Sequence, residues 1–126
     1  PDADYVTELW RKLGINVAVN GVTALTDKPI SVSGLPPARM VAHSILDECW
    51  AVARAEGADL PADTIEPTLD GFAKSVNGYT SMRHDRSLGR PTEYDALYGA
   101  VVRFGLKHGI ATPINAAVCA LIAAGD

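Results

Sequence analysis

Apolar residues recur along this chain at three- and four-residue steps almost from end to end, and no segment alternates apolar with polar residues over the length of a strand. A 3.6-residue period collects such residues on one side of a helix, whereas a strand needs a period of two. This pattern confines the chain to an all-α fold. Tyr5, Val6, Leu9, Trp10, Leu13 and Val17 predict a first helix from about Ala3 to Asn20, which Val22 to Leu25 can extend by a further turn. Thr26 to Leu35 holds Pro29 and Gly34 and reads as a loop. Pro36 and Pro37 are read as the opening turn of a second helix, where proline is tolerated. Met40, Ile45, Leu46, Cys49, Trp50 and Val52 fill its apolar faces, with Gly57 as C-cap.

A third helix is expected from about Asp63 to Val76, with Ile65, Leu69, Phe72 and Val76 inward and Asn77-Gly78 as its stop. Thr80 to Leu88 reads as a short helix ended by Gly89. Thr92 is the expected N-cap of the next, with Glu93 and Asp95 in a first turn that favours negative charge. That helix continues through Tyr98, Val101, Val102 and Leu106 to His108, and Gly109 ends it. Thr112 and Pro113 open a last helix carried by Ile114, Val118, Leu121 and Ile122. The expectation is one domain, residues 1–126, of five to six helices in an antiparallel, bundle-like array.

Charge and motifs remove several function classes. With 11 Lys and Arg against 15 Asp and Glu, the net charge is −4, which argues against a nucleic-acid binder with its basic face. No apolar run approaches the ~18 residues of a membrane span, and Asp2 and Asp4 stand where a signal peptide would be basic. Cys49 and Cys119, each in an apolar helical stretch, are read as reduced thiols of a cytoplasmic protein. His43, His84 and His108 are scattered and neither cysteine lies near one at ligand spacing, so no metal site is expected. No Gly-x-Gly-x-x-Gly or Walker loop is present to cradle a nucleotide phosphate. The chain opens on Pro1 rather than methionine, which reads as processing or as a cut from something longer.

Two clusters could carry chemistry. Lys12, Asn16 and Asn20 are spaced by four and share a helix face, bordered by Leu9, Leu13 and Val17 on one side and Ile15 and Val19 on the other. One reading is a cleft in which amides hold a polar ligand and an ammonium meets negative charge or donates a proton. The other is a snorkelling lysine with asparagines that serve the helix itself. The second cluster runs from Thr80-Ser81-Met82-Arg83-His84-Asp85 to Thr92-Glu93-Tyr94-Asp95. Ser81, His84 and Asp85 crowd one turn, where a nucleophile, base and orienter rarely align, and no nucleophile elbow is present. Glu93 reads either as a dipole-stabilising residue or as a ligand-binding carboxylate held at a helix start.

These segments resemble the C-terminal domain of the ketopantoate reductase (2-dehydropantoate 2-reductase) family. The likeness rests on Trp10-Arg11-Lys12-Leu13 with Asn16, Asn20 and Thr23-Ala24-Leu25; on Glu48, Ala53 and Gly57; on Ser81-Met82 with Asp85, Arg90, Thr92-Glu93, Asp95 and Gly99; and on His108 to Pro113 with Asn115. It covers nearly the whole chain in order. The resemblance implies an all-α domain of the kind found at the C-terminus of 6-phosphogluconate dehydrogenase, behind an N-terminal Rossmann domain that binds NADPH. By that likeness Lys12 and Glu93 are the catalytic lysine and glutamate, Asn16 and Asn20 bind the substrate's polar groups, and Ser81 stands near its carboxylate. Gly78 where the family often has asparagine, Thr80 in place of a serine, and the polar Arg83 and His84 depart from the pattern and leave another 2-oxo acid open as substrate. The implied partners are a small 2-oxo acid, the Rossmann domain of the same protein, and a second copy meeting the apolar final helix, which could equally complete the core. The competing reading is a free-standing helical dimerisation or interaction module that keeps the fold without the chemistry.

Overall fold

A computed structural model describes residues 3–126; Pro1 and Asp2, on which the readings of a cut terminus and an acidic start partly rest, lie outside them. Among the described residues there is no strand, as the periodicity predicts. The helices are α1 (Ala3–Thr26), α2 (Arg39–Ala55), α3 (Ile65–Ala73), α4 (Ser81–Ser87), α5 (Ala100–His108) and α6 (Pro113–Gly125). α1 crosses the middle of the domain and packs against α2, α4 and α6. Every residue from Val17 to Ala24 is buried, mostly small or apolar, with Asn20 and Thr23 as the buried polar exceptions, as expected where neighbours enclose a helix. α1 takes up the further turn expected from Val22 to Leu25 and ends at Thr26. Gly14 permits the α1–α2 contact: a Cβ there would stand 1.9 Å from Cζ3 of Trp50. The indole lies against the α1 backbone and its Nε1 donates to Thr64 Oγ1 at 2.7 Å.

The element ends differ from expectation where distant groups compete for backbone. Pro36 and Pro37 form a turn, and α2 begins at Arg39 after Ala38. A residue that precedes proline is driven out of the helical region, which excludes Pro36 from a first turn. Met40, read as apolar filling, is 73% exposed, whereas Ile45, Leu46, Cys49 and Trp50 are buried. The C-cap of α2 is Glu56, and Gly57 follows it at φ +98°, a left-handed value suited to glycine. The expected Asp63–Val76 helix is trimmed at both ends: Ala62–Thr64 is a 3₁₀ turn and α3 stops at Ala73. The carbonyls of Ser75 and Gly78 instead accept from Ser31 and Ile30 N–H, both at 3.1 Å, in a second 3₁₀ turn, Ile30–Gly34, inside the expected loop. Val76, expected inward, is 63% exposed as a result.

Thr92 does not cap a helix. Its N–H and hydroxyl both donate to Asp126 Oδ2, at 2.8 and 2.9 Å. Helical structure starts at Tyr94 and passes through a π-helical turn, Asp95–Gly99, into α5, which Gly109 ends at φ +67° as expected. Thr112 makes no side-chain cap bond to α6. The capping group is the Glu48 carboxylate of α2, which accepts from the Ile114 and Asn115 N–H groups at 2.9 Å each. Val118 and Ile122 of α6 join the core, and Leu121 is left exposed. Cys49 and Cys119 are both free thiols, the first buried and the second half-buried. Among the described residues no helix is long and apolar enough to cross a membrane, and no cluster of His, Cys, Asp or Glu could hold a metal ion.

Candidate functional site

The polar stripe of α1 straddles the boundary between its exposed and buried halves. Lys12 and Asn16 are exposed, while Asn20, one turn further, is buried. Lys12 lines an open depression of about 330 Å³ with Glu8, Arg11 and Ile15. Glu8 and Arg11 form an ion pair on the same helix. The Asn20 carboxamide faces inward. Its Nδ2 donates to the Asn16 carbonyl at 2.7 Å and its Oδ1 accepts from the Met82 N–H at 3.3 Å. An amide offers two donors and two acceptor lone pairs, so one N–H of Asn20 remains beyond these bonds.

The Asn20–Met82 bond ties α1 to the first turn of α4. A second tie lies one turn on, where the buried hydroxyls of Thr23 and Thr80 meet at 2.6 Å. Thr80 is the N-cap of α4, and its side chain accepts from the Arg83 N–H at 3.4 Å. Ser81, the first residue of α4, is exposed between these two ties. Asn20 thereby links the Asn16 carbonyl to the N–H of Met82, the residue that follows Ser81 in the chain. His84 is exposed and packs its ring beside Tyr79, at 5.6 Å between centroids. Arg83 pairs with Asp27, Nε to Oδ1 at 3.0 Å.

Glu93 is exposed just before the π-helical turn, with its carbonyl accepting from the Leu97 N–H at 3.1 Å. Among the described residues Lys12 and Glu93 form no ion pair with one another. The turn that follows Glu93 carries Tyr98, which is fully buried. Its hydroxyl accepts from the Gly21 N–H at 2.7 Å and donates to the Val17 carbonyl. Burial pushes the phenol well above its ordinary pKa, which keeps the hydroxyl a donor. Sequence reasoning placed Tyr98 only as part of an apolar helix face. An aromatic in such a stretch carries no local signal that its hydroxyl reaches a backbone 77 residues away.

Lys12 and Asn16 are exposed on α1, Ser81 is exposed at the start of α4 and Asn20 is buried, on a scaffold with no strand among the described residues. The sequence pattern described as "Ketopantoate reductase PanE/ApbA C terminal" matches residues 4–126. The chain belongs to this family. The 2-dehydropantoate 2-reductase of Caulobacter vibrioides is 45% identical over 120 residues, which are 94% of this chain and 41% of the relative. A dimeric ketopantoate reductase from Staphylococcus aureus superposes with a TM-score of 0.88 at 25% identity, covering 98% of this chain and 44% of that one. A D-mandelate dehydrogenase solved with NADH and anilino(oxo)acetate superposes at 0.85 and 27% identity, over 94% and 51%. The chain spans about two fifths of the length of the curated relatives it matches.

Proposed function

We propose that residues 1–126 are the C-terminal, substrate-binding domain of an NADPH-dependent reductase that converts 2-dehydropantoate to pantoate. The observation that carries the reading is the exposure of Lys12 and Asn16 on α1, before an Asn20 that bonds the Asn16 carbonyl and the Met82 N–H in the first turn of α4. Reduction of a 2-oxo acid develops negative charge on the carbonyl oxygen next to a fixed carboxylate. An ammonium aimed at that oxygen stabilises the charge and can deliver the proton. Lys12 takes that role from Nζ. Asn16 and the remaining N–H of Asn20 hold the substrate's polar groups, Ser81 serves its carboxylate, and Glu93 engages Lys12 and the new hydroxyl. The chain holds no Gly-rich loop to cradle a dinucleotide's phosphates, so most of that binding falls to the other domain. The dinucleotide, which supplies the hydride, is assigned to an N-terminal Rossmann domain of the same protein. That domain, the small 2-oxo acid and a second copy of the protein are the partners we propose, in the cytoplasm.

The test is Lys12→Ala in the full-length protein. Loss of a general acid that also stabilises charge should lower kcat/KM about 10³-fold while circular dichroism is unchanged. A loss below about tenfold would remove Lys12 from the chemistry. The likeness to a D-mandelate dehydrogenase favours a second substrate, an aryl-substituted 2-oxo acid, and parallel assays with both acids separate the two.

A further inference from the structure

In an α-helix the N–H of residue i pairs with the carbonyl of residue i−4. Val17 and Gly21 are such a pair, and the Tyr98 hydroxyl bonds to both groups. A side chain that enters this ladder is one of the few recognised causes of a local change in a helix's course. Val17 directly follows Asn16 and Gly21 directly follows Asn20, so each bonded group adjoins one of the two asparagines. The contact also lies at the boundary where α1 passes from its exposed half into the core.

Two further features make the contact a built one. Gly21 leaves room for it, since a Cβ there would stand 2.5 Å from the Tyr98 hydroxyl and 2.5 Å from Val118 Cγ1. The segment that delivers Tyr98 is the π-helical turn Asp95–Gly99, and π-turns recur where a helix re-aims a side chain at a functional site. Glu93 lies five residues before Tyr98 on the same segment. One hydroxyl therefore bonds the α1 backbone next to its two asparagines and holds against it the turn that begins two residues after Glu93.

We propose that Tyr98 is a positioning residue for the site. By joining the Val17–Gly21 pair it fixes Asn16 and Asn20 relative to one another, and it fixes the Glu93 segment relative to Lys12. The inference rests on the function proposed above. Tyr98 touches no substrate on this account and acts through the amides.

The experiment uses the full-length protein, with 2-dehydropantoate and NADPH as probes and Lys12→Ala as a reference. Tyr98→Phe removes one oxygen, and the Val17 carbonyl and Gly21 N–H can then pair directly, so the variant retains a folded α1. It is expected to lower kcat/KM at least tenfold, mainly through a raised KM for the oxo acid, with KM for NADPH unchanged. A purely structural role would reduce the active fraction, and hence apparent kcat, with both KM values at their wild-type level. Gly21→Ala displaces the hydroxyl from the opposite side and is expected to raise the same KM. The inference is overturned if the folded variant, or both if both fold, keeps KM for the oxo acid within twofold of wild type while Lys12→Ala shows its expected loss of about 10³-fold in kcat/KM. If Lys12→Ala itself loses less than about tenfold in kcat/KM, the site assignment fails, and Tyr98 loses its role with it.

Discussion

Replacing Glu48 with alanine should uncap α6 and destabilise the domain more than an ordinary surface change. Within the first turn of α6, Pro113 has no N–H, and the Ala116 N–H already bonds the Thr112 carbonyl at 2.9 Å. The orphan donors of that turn are the Ile114 and Asn115 N–H groups, and the Glu48 carboxylate accepts both. Its Oε1 also accepts from Asn115 Nδ2 at 2.9 Å, which sets the orientation of that buried amide. Loss of a single capping bond costs about 0.5–2 kcal/mol, and bonds to a charged partner lie at ~1.5–3 kcal/mol. Three bonds are lost together, partly offset because the carboxylate is no longer desolvated. The net loss for Glu48→Ala comes to about 3 kcal/mol, which for a domain of this size lowers the melting temperature by roughly 10 °C. Glu48→Gln keeps one acceptor but turns an NH₂ toward an N–H, and should lose about half as much. Calorimetry with far-ultraviolet circular dichroism measures both variants. A loss below about 1 kcal/mol for the alanine variant would mean that water caps α6 as well as the carboxylate does, and the reasoning would be wrong.

Two other measurements follow from titrating groups. The Glu56 carboxyl is held below its ordinary pKa chiefly by its bond to His108 Nε2, at 2.5 Å, and also by Lys107 Nζ, at 2.9 Å. Because the folded value lies below the unfolded one near 4.5, this stabilisation is complete above pH 4.5 and is lost as pH falls through the folded value. Between pH 7 and 3 the wild type should therefore lose more stability than Glu56→Gln, and parallel curves would refute the linkage. Burial pushes the Cys49 thiol up to about 12, and desolvation also raises half-buried Cys119. An aromatic disulfide reagent at pH 8 should modify Cys119 slowly and Cys49 only at the rate of unfolding, as read by peptide mass spectrometry; fast labelling of Cys49 would contradict its burial.

The helical reading follows from period alone, and Gly109 at the end of α5 was legible because a left-handed cap needs no distant partner. The Lys12–Asn16–Asn20 face was equally legible, since four-residue spacing defines a helix face wherever the helix lies. What each member of that face does was not. Asn20 is buried because α4, 62 residues further on, presents Met82 N–H to it, while Lys12 and Asn16 stay in solvent. Thr92 and Thr112 both have the composition of caps, yet Asp126 takes the first and Glu48 supersedes the second.

Periodicity, charge and spacing by themselves determined an all-α domain with a polar stripe on its first helix, because those signals act within one or two turns. Only the tertiary structure decided which part of the stripe meets solvent, which carboxylate caps α6, and that Tyr98 enters the ladder of α1. Each of these is a contact between residues 62 to 81 positions apart, and no local pattern encodes which groups the packing of six helices will bring together.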